Sequence, residues 1–464
     1  MSIYALIAVP HDFPVKWTNP QAWETNPPNV PPEWIRFLGY NCLLHVEKNL
    51  ASETPSIRIG SSSVTLTYRY IYELPSNADK VPGNILVKLI DFRVPPGTNN
   101  IEFILRVTRP DNYTYTLFDT TTAVSPNQTS VTHTLRLSGE LLARDIVAQY
   151  LSMGMQVNRL SILGRAQELV FERIINVSAE GFISDVKILP GRYLFTLDII
   201  YSGAALPPTT VASQILLVIY GTCYGFMGTD YLGRDLATGL LYGFPIALAI
   251  GLSVAVLSTL IGVLAGIISG YFGGLVDEAI QRTVDIMGNI PLLPILVLIA
   301  AAVQTASFIV SIQDPVTKGW VLLSIILAIL VIFGWPGLAI IVRSFTLSIK
   351  GEAYVDAARA LGASSSRIMF KHILPQITPY ILANLVLSVP GAIVTEAGLA
   401  ILGIQHGLPT WGGILADARL KGYITYWWWI FPPGILITIT SMTFIFLGLA
   451  LETYAEPRLR ASRG

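Results

Sequence analysis

Residues 356–375 read DAARALGASSSRIMFKHILP, a polar amphipathic stretch lodged between two long uncharged segments. Tyr354, Ala357, Ala358 and Leu361 stand at i, i+3, i+4 and i+7, a narrow apolar stripe on a short helix, while Glu352, Asp356 and Arg359 fall on its other faces. So small a face suits insertion into a groove. Gly362 follows Leu361 at the place where a helix ends in a left-handed residue, and Ser364 or Ser365 is positioned to cap a second helix through Ile368, Met369, His372 and Ile373. Pro375 disfavours helical geometry in Leu374, which predicts a boundary before the next apolar segment. The local pattern fits either an ordinary amphipathic connector or a docking element, and the surrounding chain has to decide.

The chain has 464 residues, 52% hydrophobic and 13% charged, with a mean hydropathy of +0.57. An ordinary soluble protein is about one-quarter charged. The deficit is local: residues 236–276, 286–313, 319–342, 372–395 and 422–451 carry no charge. Each run exceeds the roughly 20 apolar residues that cross a bilayer. Five spans are therefore expected, near 240–269, 287–310, 320–342, 377–403 and 428–451. Arg282, the group Arg343, Lys350, Arg359, Arg367 and Lys371, and the terminal Arg458, Arg460 and Arg463 mark the cytoplasmic side. The opposite loops hold only Lys318 and then Arg419 with Lys421, so residues 1–237 are expected mainly outside the cell and the C-terminus inside. Trp427, Trp428 and Trp429 suit an interfacial anchor in membrane lipid. With a net charge of zero and no basic stripe, nothing points to nucleic acid.

Upstream the material changes. Runs that alternate apolar and polar residues predict strands at 64–74, 85–92, 101–107, 113–118, 131–137, 168–177, 181–189 and 192–200, with one helix at 139–151. Turn signals such as Pro95-Pro96-Gly97, Pro110-Asp111-Asn112 and Pro190-Gly191 separate the runs. The expectation is an extracellular antiparallel β-sandwich over residues 41–215, preceded by a Pro/Trp-rich segment at 1–40. It is followed by a pre-membrane segment at 216–237 and an α-helical membrane domain at 238–464 with a loop at 344–376. Sequons at Asn112, Asn127 and Asn176 all fall in the β-rich part and are candidate glycosylation sites. Cys42 and Cys223 are the only cysteines; they could form one disulfide in an oxidising space, but spacing does not show proximity, and two inert thiols are the simpler expectation.

The loop at 356–375 resembles the cytoplasmic docking loop of a binding-protein-dependent ABC importer permease. Asp356, Ala357, Ala358, Gly362, Leu374 and Pro375 fall at the family's spacing, with Asp356 standing for Glu and His372 for Ile. Further blocks resemble the second permease subunit of the dipeptide/oligopeptide/nickel family. They are Gly228-Thr-Asp-Tyr-Leu-Gly-Arg-Asp235, Gly270-Tyr-Phe-Gly-Gly274, Glu396-Ala-Gly-Leu-Ala-Ile-Leu-Gly403, Pro409-Thr-Trp-Gly412 and Glu456-Pro-Arg-Leu-Arg460, in unbroken order over roughly residues 225–460. The resemblance implies a type I importer permease fold, with the β-rich domain as an insertion. Such permeases begin with a spanning helix, so Tyr4–Val9 reads as the tail of a helix whose start is missing, or the span is absent.

No G-x4-G-K-[ST] loop occurs, so no cofactor is expected in this chain and the nucleotide that drives transport, ATP with Mg, is expected elsewhere. The resemblance implies two cytoplasmic ATPase subunits, a second homologous permease and an extracellular solute-binding protein as partners. It also implies coupling to the ATPases through Glu352, Tyr354, Asp356, Ala357, Ala358, Arg359, Leu361, Gly362, Leu374 and Pro375. Peptides, oligosaccharides and nickel are all carried by similar permeases. Glu396 is a candidate pathway residue because an ionisable group inside a span is costly, and its place near the outer end of the span is expected to give it water. Two rival classes fit less well. A secondary transporter predicts more intramembrane charges and an inverted repeat, and a membrane-anchored sensor needs no docking loop.

Overall fold

The computed structural model describes residues 12–60, 62–94, 97–125, 130–203 and 212–455. The turn residues Pro95 and Pro96, Asn127, the expected helix tail at 4–9 and the block at 456–460 lie outside them. The chain divides into two compact units, residues 21–235 and residues 1–20 together with 236–464.

The first unit is a β-sandwich. Its strands are β1 (Val46–Asn49), β2 (Ser56–Ile59), β3 (Ser63–Leu74), β4 (Ile85–Arg93), β5 (Asn100–Thr108), β6 (Thr114–Ala123), β7 (Ser130–Arg136), β8 (Glu172–Val177), β9 (Ile183–Ile188), β10 (Gly191–Ser202) and β11 (Ala212–Ile219). A four-stranded sheet runs β1-β11-β4-β7, a five-stranded sheet runs β2-β3-β10-β5-β6, and β8-β9 form a separate hairpin. All pairings between these strands are antiparallel. Strand period two decides which side chains go inside. Pairing of β10 with β3 sets Phe195 opposite Tyr70, Leu197 opposite Tyr68, Ile199 opposite Leu66 and Tyr201 opposite Val64, and this face is buried. Phe92 of the other sheet packs on Phe103 and Tyr201 at ring separations of 5.4 and 6.0 Å, so one core joins both sheets. The helix Gly139–Ser152, capped by Ser138, lays Leu142, Ala143, Ile146 and Tyr150 onto that core.

Three strands depart from the alternation reading. β1 and β2 are four residues each and carry polar side chains on edges, too short to show a period. β11 reads Ile215-Leu-Leu-Val-Ile219 without alternation because both of its faces are covered. Leu217 and Ile219 enter the sandwich core while Leu216 and Val218 join Leu86 and Tyr220 in a second cluster. The strand therefore runs across residue 215. The stretch 168–171 is not extended either: a helical turn Ala166–Leu169, held by the Arg165–Glu168 pair at 2.9 Å, precedes β8.

Cys42 and Cys223 form a disulfide across 181 residues of sequence, which corrects the expectation of two thiols. Sequence separation concealed it, because strand pairing closes the unit on itself. Val46 pairs with Ile219, Leu44 bridges Cys223, Thr229 N donates to Val30 O at 2.9 Å, and Asn29 N donates to Asp230 O at 2.8 Å. Gly221 has no room for a side chain there, since a Cβ would sit 2.4 Å from His45 N. Asp230 is buried, pairs with Arg234 and accepts the backbone N–H groups of Leu232 and Arg234 at 2.9 Å each.

The second unit is helical: α1 (Leu236–Phe272), α2 (Gly274–Asn289), α3 (Leu292–Thr305), α4 (Pro315–Gly334), α5 (Pro336–Lys350), α6 (Ala353–Ala360), α7 (Leu374–Ile401), α8 (Trp411–Leu420) and α9 (Trp427–Ala455). Among the described residues four helical stretches are long and apolar enough to span: 236–272, 315–350, 365–401 and 427–451. The expected second span, 287–310, falls on α3 and the end of α2; these two helices are bent by 84° and make a fifth span if the pair counts as one. Ile290 is extended because Pro291 follows it, and this breaks the run. Glycines at intervals of four let α1 approach α5 closely. A Cβ at Gly262, Gly266 or Gly270 would fall 2.9, 2.7 or 2.9 Å from the carbonyl of Trp335, Ala339 or Arg343. Gly273 and Gly274 instead end the helix with φ of +67° and +55°.

Cys42→Ser should lower the stability of the β-sandwich by up to about 5 kcal/mol, the chain-entropy value for a loop of this length. Thermal unfolding of the variant and of reduced wild type would check this; no loss in either would contradict a pre-closed unit.

Candidate coupling site

The helix α6 has one buried residue, Val355, which belongs to one apolar cluster with Val342 of α5, Tyr271 at the end of α1, and Ile368 and Ile373 beyond the bend. The stripe expected to meet a partner faces outward. Leu361 is 89% exposed and Tyr354 39%; Ala357 is also exposed, and Ala358 is half-buried. Tyr354 additionally accepts a hydrogen bond from Gln376 Nε2 at 2.8 Å, which ties α6 to the first turn of α7. Asp356 and Arg359 make only a 3.4 Å pair on the exposed side. Glu352 occupies the cap position without a side-chain cap bond.

Gly362 has φ of +83° with open space around its Cβ, so the requirement there is conformational rather than steric. Ser364 Oγ accepts the Arg367 N–H at 3.4 Å and starts the return turn. The expected boundary at Pro375 is absent. Residues 368–373 form a π-helix that runs directly into α7, and Leu374 is helical. Proline clashes with the carbonyl four residues before it and lacks an N–H, and a wider turn relieves both without ending the helix. Residues 365–401 are therefore one continuous helical stretch.

A clasp holds this region. Arg343 of α5 donates from Nε to Asp277 Oδ1 at 2.6 Å and from Nη2 to Oδ2 at 2.5 Å, a forked pair. Asp277 also accepts from Ser269 of α1, whose hydroxyl in turn accepts from Gln281 at 3.2 Å. Lys350 donates to the Tyr271 carbonyl at 2.6 Å. Three helices thus meet at Asp277, a role that its isolated place in the sequence did not reveal. The Glu278–Arg282 pair, by contrast, is 3.7 Å apart and solvated.

Glu396 does not reach water, contrary to expectation: it is 3% exposed. Thr410 Oγ1 donates to Oε1 at 3.0 Å, and His406 Nε2 lies 3.1 Å from the same oxygen. Leu408 N donates to His406 Nδ1 at 3.1 Å, so Nδ1 is the acceptor and Nε2 carries the proton toward Glu396. Gly412 leaves room for the carboxylate, since a Cβ there would lie 2.9 Å from Oε2. The cluster joins α7 to α8. Its partners lie ten and fourteen residues after Glu396; His406 was not singled out in the sequence, while Thr410 stands in the block Pro409-Thr-Trp-Gly412. Trp429 is buried and donates to Ile414 O at 3.1 Å, while Trp427 stays exposed at the helix start. Asn112 and Asn176 are both exposed.

A family model described as binding-protein-dependent transport system inner membrane component matches residues 262–461. The dipeptide transport system permease protein DppC of Bacillus subtilis is 32% identical over 272 residues, 58% of this chain and 79% of its own. The oligopeptide transport system permease protein OppC of the same organism is 38% identical over 237 residues, 51% of this chain and 72% of its own. The chain belongs to the ABC importer permeases of the dipeptide/oligopeptide group. OppC of Escherichia coli is 35% identical over 237 residues, 51% of this permease and 73% of its own length. Among solved structures, the inward-facing MetNI methionine ABC transporter covers 46% of the permease and 94% of itself at 19% identity, with a TM-score of 0.36. The relatives and the apolar helices make the permease a multi-pass membrane protein, and it carries a β-rich domain ahead of the region that the family model matches.

If Asp277 and Arg343 act as one unit, Asp277→Asn and Arg343→Gln each destabilise the permease, and the double variant is no worse than the poorer single one. A coupling energy on the order of 1–3 kcal/mol is expected from a double-mutant cycle on thermal unfolding in micelles; additive losses would dissolve the clasp.

Proposed function

We propose that this permease forms half of the translocation pathway of an ATP-driven importer for peptides or similar small solutes. Cytoplasmic ATPase subunits would engage it through the loop at 352–375. The observation that carries this reading is the division of labour on α6: Val355 is locked into the span cluster, while Tyr354, Ala357 and Leu361 face outward and Ala358 stays half-covered. A helix gripped on one side and open on the other is suited to pass a displacement between a partner and the spans. The peptide cargo rests on the named activities of DppC and OppC.

In this reading a second homologous permease completes the pathway and an extracellular solute-binding protein delivers the cargo. Closure of the ATPases on ATP pushes α6, and the rods α5 and α7 carry the push into the bundle. ATP and cargo then act as two ligands that bias one two-state element. Coupling depends on Gly362, Leu374 and Pro375 for the bend and the continuous rod, and on the exposed stripe for contact. Residues 1–237 are placed outside and the C-terminus inside, which the Lys/Arg pattern and a disulfide typical of oxidising compartments support. Glu396 serves in this scheme as a structural tie between α7 and α8, since its carboxylate is already satisfied.

Gly362→Val should abolish coupled uptake in the reconstituted complex while leaving the permease in the membrane. A left-handed backbone costs a branched side chain on the order of 1–2 kcal/mol or more. Gly362→Asn, which tolerates that backbone, should retain most uptake. Wild-type transport by the Val variant would contradict the mechanism.

A further inference from the structure

The β-sandwich unit carries a groove of about 900 Å³ that nothing in the coupling scheme uses. One wall is the short helix Glu33–Leu38 with the segment that follows it, another is residues 75–79, and a third is Gly225–Phe226. Aromatic side chains of Trp34, Phe37, Tyr40 and Phe226 line it. Phe37 is 92% exposed, Phe226 68% and Tyr40 65%, so their faces are uncovered in this chain.

The frame beneath them is stiff. Glu33 N donates to Gly225 O at 2.9 Å, Gly225 N donates back to Glu33 Oε1 at 3.1 Å, and Trp34 Nε1 donates to Phe226 O at 2.7 Å. The Cys42–Cys223 disulfide joins the same two segments, and Asn41 Nδ2 reaches Asn77 O at 3.3 Å across to the opposite wall. On a braced backbone only the side-chain rotamers are left to order on binding. A volume in this range with mostly apolar walls and a few polar groups is typical of small-ligand sites.

The lining also carries both signs of charge, Arg36 and Glu33 on one wall and Asp79 on the other; Glu33 is engaged by the Gly225 N–H, while among the described residues neither Arg36 nor Asp79 is in an ion pair. A ligand that matches this surface has an apolar body and opposite charges at its ends. A neutral glycan leaves both charges unanswered, and a fatty acid answers one. We infer that the groove is a binding site for short apolar peptides with free termini, the carboxylate directed to Arg36 and the ammonium to Asp79. The inference rests on the proposed peptide cargo but names a site outside the spans, where the permease itself would retain arriving peptide.

The test is isothermal titration of the full-length, disulfide-intact permease in micelles with the tripeptide Leu-Phe-Leu, its N-acetylated and C-amidated form, and maltotriose. Saturable binding of the free tripeptide is expected, weakened about tenfold or more by blocking the termini and by Arg36→Ala, Asp79→Asn or Phe37→Ser. These positions are exposed, and disulfide formation with monodisperse elution reports folding of each variant. The site is overturned by absent saturable binding, by equal affinity for the blocked peptide or for maltotriose, or by unchanged affinity in the folded variants. Peptide uptake by the reconstituted complex is measured in parallel. Uptake without groove binding overturns this site alone, whereas failure to take up any peptide overturns the cargo reading.

Discussion

The close contact between α1 and α5 is the constraint on which the helical unit rests. Inside hydrocarbon, helices gain little from excluding water, so association depends on backbones that approach closely enough for van der Waals contact. Gly262, Gly266 and Gly270 supply that approach by placing a bare edge of α1 against successive carbonyls of α5. A helix so positioned carries Ser269 to Asp277, and Asp277 carries Arg343; the same seam brings Tyr271 into the cluster that includes Val355. The anchoring of α6 is thus helped by three missing side chains that lie between one residue and nine residues, up to about 14 Å, before Tyr271 along the helix.

Polar groups in the same unit follow the matching rule that a buried polar group must find a hydrogen-bond partner. Glu396 meets Thr410 and His406, and the histidine orientation is fixed by a backbone N–H on its other nitrogen. Removing one member of such a cluster leaves the others buried and unsatisfied, which costs more than the cluster contributes net. An ionisable residue within a span is therefore not by itself evidence of a conduction path; its partners decide.

Much of this was legible in the amino-acid order, for identifiable reasons. Long uncharged runs have one physical meaning in a chain of this size, and eight strands announced themselves wherever one face met water and the other met the core. β11 was obscured because both of its faces are covered, which erases the period that marks a strand. The short edges β1 and β2 were obscured because four residues hold too few repeats. The bend between α2 and α3 was signalled by Pro291 yet read as straight, while Pro375 was read as a stop where a π-turn absorbs it. The stripe at 354–361 was read at its true spacing, but Val355 between its members was not seen as the anchor, since a single apolar residue beside a stripe has no periodic signature. Contacts between distant residues, Cys42 with Cys223 and Asp277 with Arg343, leave no trace in local pattern at all.

The β-sandwich begins and ends at the same place. Hydrogen bonds pair Asn29 with Asp230 and Val30 with Thr229, a strand pair joins Val46 to Ile219, and a covalent bond lies between them. A chain excursion of about two hundred residues is thereby reduced, for the segments on either side, to a step of a few ångströms. Such an insert makes no demand on the length or direction of its neighbours. Ends held this close together are the geometry at which the exchange or loss of a whole domain is tolerated, since the flanking segments are left only that short step to close.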